Sequence, residues 1–151
     1  MKKKIKLPKP KSLKKQCDDL WALVVKARAG YRSELSGKTD LLHSHHIAGK
    51  DCYRLRYELD NGICVTAGEH FYGIHHQGRK ANFEHMIKIV KGFGIFERME
   101  ELRKNKSKTD LKLVKIYLGQ KLKEFHKENI ESIQSDIIEA GIKEYHKLKE
   151  K

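Results

Sequence analysis

The sequence predicts an α+β fold, a small mixed centre over about residues 31 to 80 clasped by helices. Three observations predict it. Apolar residues recur at helical spacing before residue 30 and again from residue 82 onward. Between these stretches, "ICV" follows the turn signal Asp60-Asn61-Gly62 and reads as a short strand. The same middle region holds "LLHSHHIAGKD", residues 41 to 51, where an apolar strand start runs into His43, His45 and His46.

Taken in order, residues 1–16, "MKKKIKLPKPKSLKKQ", carry eight lysines and no acid, a large share of the net charge of +13. With two prolines this segment reads as a flexible basic arm, able to replace counterions along a phosphate backbone. The plainer alternative is a solubilising tail. Residues 17–30, "CDDLWALVVKARAG", form a helix with Leu20, Trp21, Val24 and Val25 on one stripe and Gly30 at its end. "YRSELSGKTD" is turn-like, and "EHFYGIHHQGR" starts a short helix before Gly78. Asn82 is read as the N-cap of a helix whose apolar face is Phe83, Met86, Ile87 and Val90. Gly92-Phe93-Gly94 breaks it before "IFERMEELRKN". Thr109 caps a further helix with Leu111, Val114, Leu118, Leu122 and Phe125 in line, and a last segment carries Ile130, Ile133, Ile137, Tyr145 and Leu148. Those stripes are packing surfaces, either core or a homodimer interface through the C-terminal helices.

Composition narrows the class. The 151 residues suit one domain with extensions. No apolar run approaches the roughly 18 residues of a membrane span, and no apolar stretch follows the N-terminal lysines as in a signal peptide. A cytoplasmic protein without a membrane partner is expected. Cys17, Cys52 and Cys64 form no C-x-x-C pair, which argues for reduced thiols over a disulfide framework and excludes a four-cysteine zinc site.

The histidines have a counterpart downstream. Asn61 stands in its turn, and His70 follows, with His75 and His76 just beyond. A hairpin from the histidine strand into a helix would return His70 to His45 and His46. In order, "SHHIAGK", "LDNGICV" and "EHFYGIHHQGR" resemble the three motif elements of the HNH endonuclease family, the ββα-metal nucleases, in phage-type members. The resemblance covers about residues 31–85. It implies a nuclease core there; composition and apolar spacing add a basic arm at 1–16, a helix at 17–30 and a helical extension at 86–151.

Position by position, the resemblance implies that His45 and His70 bind a divalent ion, Mg²⁺ or Mn²⁺ with Zn²⁺ or Ni²⁺ as alternatives. It implies His46 as general base, Asn61 tying the hairpin and orienting His46, and His75 as a third metal contact, with His76 the competing choice. DNA is the implied substrate. Arg54, Arg56, Arg79 and Lys80 flank the site, and are read either as tracking phosphates or as a solvated face. Neighbouring residues on a strand face opposite sides, so a local distortion or a strand end is needed to bring His45 and His46 to one site. His43 is read as solvent-facing or phosphate-contacting. Relatives often hold a structural zinc on two C-x-x-C pairs; the matching positions here are Ser33, Ser36, Thr66 and Glu69. A knuckle held by hydrogen bonds and apolar packing is expected in its place. Two other classes stand beside the nuclease: a catalytically silent DNA-binding module on the same scaffold, and a histidine-rich zinc-binding interaction protein.

Overall fold

Ser12 opens the first helix, its hydroxyl accepting a hydrogen bond from the Lys15 amide at 3.3 Å. The computed structural model describes residues 11–75, 79–105 and 107–149. Helix α1 runs Leu13–Arg28 and closes with Gly30 in the left-handed region, where the Tyr31 amide reaches back to the Lys26 carbonyl. Strand β1 (Leu42–His46) pairs antiparallel with β2 (Gly62–Thr66), with Leu42 opposite Thr66 and His46 opposite Gly62. A short helix, α2 (Tyr53–Tyr57), lies between them. The Asp60-Asn61 turn therefore joins α2 to β2, and does not link the strands directly as a simple hairpin would. The reason is apolar: α2 buries Leu55 and Tyr57. Helices α3 (Ala67–His75), α4 (Lys80–Lys91), α5 (Ile95–Lys104) and α6 (Leu111–Lys149) complete the order.

The two strands are sandwiched. Cys64 points into one apolar cluster with Cys17, Trp21, Val24 and Val25 of α1 and Leu118 of α6. Ile63 and Val65 point into another, with Phe83 and Ile87 of α4 and Ile95 and Met99 of α5. That alternation is why β2 is buried on both faces and reads as a continuous apolar run. Gly62 permits the closest approach to α1: a Cβ there would sit 2.5 Å from Val25 Cγ2 and 3.0 Å from Trp21 Cζ2. The outer edge of β2 is covered by Glu34, whose amide donates to the Cys64 carbonyl at 2.8 Å while its carboxylate accepts the Cys64 amide at 2.7 Å. Among the described residues the sheet has two strands, and no third strand covers the other edge of β1.

Several boundaries differ from the sequence expectation. The last residues of the basic arm, from Leu13, already belong to α1; residues 1–10 lie outside the described residues. The division at residue 85 falls inside α4, because Phe83 and Ile87 anchor one continuous helix in the core. Asn82 lies within that helix and Arg79 occupies the N-cap position. Asp110, not Thr109, caps α6, its carboxylate accepting the Lys112 amide at 2.8 Å. The two C-terminal segments are one helix of 39 residues. Among the described residues no helix is long and apolar enough to cross a membrane.

Candidate active site

Strand alternation sorts the histidines. His43 and His45, two residues apart, share the face turned to α3 and α4. On that face His45 Nδ1 lies 3.1 Å from His70 Nε2, and His43 Nδ1 lies 3.4 Å from His70 Nδ1. His70, on α3, thus reaches both strand histidines, and Phe83 of α4 meets the His45 ring edge-on at 5.7 Å. Burial, followed by the neighbouring His70 and His46, pulls the His45 pKa down to about 4. This imidazole is neutral at pH 7, with a lone pair to offer. Two imidazole nitrogens on one ion, each about 2.0–2.1 Å from it, stand about 3.0–3.4 Å apart. The His45–His70 separation fits that chord. Among the described residues no three histidine, cysteine or acidic side chains gather as a ready-made metal cage. The side chain of His75, and all of His76, lie outside the described residues.

His46 takes the other face. Pairing stays regular through His46, so the distortion needed to bring it beside His45 is absent. Its ring stacks on Trp21 of α1 with centroids 3.7 Å apart and planes 5° from parallel, and Ser44, on the same face, donates to the Ala22 carbonyl at 2.6 Å. His46 Nε2 lies 2.9 Å from the Arg56 carbonyl oxygen. A carbonyl can only accept, so Nε2 carries the proton and Nδ1 keeps its lone pair. Burial lowers the pKa of His46, outweighing the backbone hydrogen bond, which raises it. The result is a neutral imidazole of fixed tautomer at the last residue of β1.

The turn residue Asn61 is fully buried. Its Nδ2 donates to the carbonyls of Gly49 and Leu55, both at 2.8 Å, and its Oδ1 accepts the Ala48 amide at 2.8 Å. With the Ile47 amide on its own carbonyl, Asn61 ties down the loop that leaves His46. It acts by positioning; nothing of it faces outward.

Arg56, expected to track phosphates, is committed elsewhere. Its Nε and Nη2 bind the Asp18 carboxylate at 2.6 and 2.8 Å, joining α2 to α1. The Arg56 guanidinium in turn holds the Asp18 carboxyl below the usual carboxylate range. Arg54, Arg79 and Lys80 are exposed. Arg54 borders a groove of about 640 Å³ with Tyr53, Arg103 and Lys108. Arg79 borders one of about 340 Å³ with Tyr72, Asn82 and Phe83, the last of which touches the His45 ring.

The knuckle positions converge. Ser33 donates to Glu69 Oε2 at 2.7 Å, the Thr66 amide donates to the same oxygen at 2.7 Å, and the Glu69 amide donates to Thr66 Oγ1 at 3.2 Å. Burial works against the charge on Glu69, yet hydrogen bonds from Ser36, Thr66 and Ser33 together keep its pKa low. A carboxylate occupies the centre of this cluster, one residue before His70. Sequence reasoning missed the Trp21 stack and the Asp18–Arg56 pair. The alternation of His43 with His45 was the available signal for placing His43 beside His70. Comparison with family models, curated proteins and solved structures returns no match.

Proposed function

We propose that this chain is a metal-dependent endonuclease that hydrolyses DNA phosphodiester bonds. The observation that carries the proposal is the convergence of His45 and His70 at the separation two ligands of one ion would have, on the strand that ends in His46. His45 and His70 would hold the ion, which when bound neutralises charge on the scissile phosphate and the departing oxygen. The donor pair is all imidazole, which suits Ni²⁺ or Zn²⁺ better than Mg²⁺ or Mn²⁺. His46 Nδ1 is the proton acceptor for the attacking water, its ring aligned by Trp21 and the Arg56 carbonyl. The two functions stand on opposite faces of β1, so the substrate phosphate must lie along the edge that no strand covers, where both faces are within reach. Asn61 holds the loop bordering that edge. Arg54, Arg79 and Lys80 supply exposed positive charge on either side.

Purified protein should nick supercoiled plasmid in a divalent series and stop on chelation. His46→Ala should lower the nicking rate on the order of 10²–10⁴-fold, the usual contribution of a general base, with the helical circular dichroism intact. Unchanged cleavage in that variant would remove His46 from the mechanism. DNA binding with no cleavage under any divalent ion would instead establish a silent binding module on this scaffold.

A further inference from the structure

The far half of α6 leaves the body of the protein. Its near half packs on α1 through Leu111, Val114, Leu118, Leu122 and Phe125, and the last tether is Asn129, whose Nδ2 donates to the Ala27 carbonyl at 2.9 Å. Beyond it, Ile130, Ile133, Ile137, Ile138 and Ile142 are each more than half exposed. A lone helical extension is marginal in water, and contiguous exposed isoleucines mark a surface that is covered in use. Charge narrows what covers it. Between 128 and 142 stand Glu128, Glu131, Asp136 and Glu139 with no lysine or arginine, in a chain of net charge +13. Nucleic acid and anionic lipid are repelled by such a stretch. Lys143, Lys147 and Lys149 follow it with Glu144 among them, so the end of the segment keeps a net positive charge.

We propose that residues 128–149 pair antiparallel with the same segment of a second copy. In that orientation the acidic start of each helix faces the basic end of the other, while the stripe of Ile130, Ile133 and Ile137 turns to the partner around a two-fold axis. A parallel pair would set acid against acid. The pairs Lys127–Glu131 and Lys143–Glu139 are exposed and run along the helix, so they exchange readily for pairs across it. At about 100° per residue Ile130, Ile133 and Ile137 share one face, while Ile138 and Ile142 turn onto its flank; the first three close the pair and the charges set its orientation.

Light scattering of the full chain at tens of micromolar should give twice the mass of one chain. Ile133→Lys with Ile137→Lys should raise the dissociation constant roughly a hundredfold or more, with the circular dichroism of the folded body retained. Glu128→Lys with Glu131→Lys should weaken the dimer, as should Lys143→Glu with Lys147→Glu. Combining the four substitutions should restore it, which a parallel pair would not do. A monomer at 100 µM would leave the surface to a different protein and overturn the proposal, as would a dimer indifferent to the isoleucine substitutions.

Discussion

At position 46 a single hydrogen bond decides which nitrogen holds the proton, and that bond depends on residues far off in sequence. The Arg56 carbonyl is held where it is because the Arg56 guanidinium grips Asp18 on α1, and Tyr57 adds a hydroxyl bond to the same carboxylate at 3.1 Å. Asp18→Asn should therefore act on stability and chemistry together. The pair is mostly shielded, with side-chain exposures of 15% and 28%, and is worth about 1–2 kcal/mol after allowing for solvent screening. The folded pKa of Asp18 is depressed, so the unfolded chain takes up its proton first as pH falls. The contribution is complete above about pH 4 and lost as pH drops through the folded value. Urea unfolding should show the variant weaker by that amount at pH 7 and the gap closing in acid. A gap that stayed constant down to pH 2 would mean the carboxylate's charge is not what holds the two helices. Asn61 is the second residue of this kind. With three side-chain hydrogen bonds and no exposure, Asn61→Leu should cost about 2–4 kcal/mol, since it strands buried backbone groups.

At the scale of elements, the knuckle shows what the sequence reveals and what it hides. The family resemblance pointed to Ser33 with Ser36 and to Thr66 with Glu69, and the fold brings these pairs together around one carboxylate. The two strands were legible from an apolar strand start and from "ICV" after a turn signal, which are local features; His70 does return to His45, though through a longer connection than the expected hairpin. Helix α2 was hidden, since five residues are too few to show a period. Arg56 was misjudged because an arginine flanking a basic site looks the same in sequence whether it faces phosphate or a buried aspartate. Asp110 and Thr109 are neighbouring cap residues that sequence alone does not rank, and the run of α6 through residue 129 depends on tertiary packing that no local window contains. The converging positions make a direct prediction. Replacing Ser33, Ser36, Thr66 and Glu69 together by cysteine should create a site for one Zn²⁺ per chain, measured by titration against a chelating dye. A variant that folds and binds no zinc would show that the four positions do not enclose a tetrahedral centre.

On the scale of the whole molecule, charge is distributed by task. Acid is concentrated on the far half of α6, while lysine is concentrated in the arm and beside the exposed Arg54, Arg79 and Lys80. Five of the arm's lysines, Lys2, Lys3, Lys4, Lys6 and Lys9, precede the first described residue. If they lie along DNA, each neutralised phosphate releases counterion and adds about 0.9 to the slope of log affinity against log salt. Changing all five to glutamine should then flatten that slope by as much as about 4–5 and weaken binding most at low salt. The five changes leave His45 and His70 in place, so under the proposed nuclease function nicking at saturating protein should continue at close to its original rate. A slope unaltered by the five changes would make the arm a solubilising tail and leave the body of the protein to supply every phosphate contact. A slope that flattened together with a lost cleavage rate would place the arm within the catalytic complex, delivering the phosphate to the uncovered edge of β1.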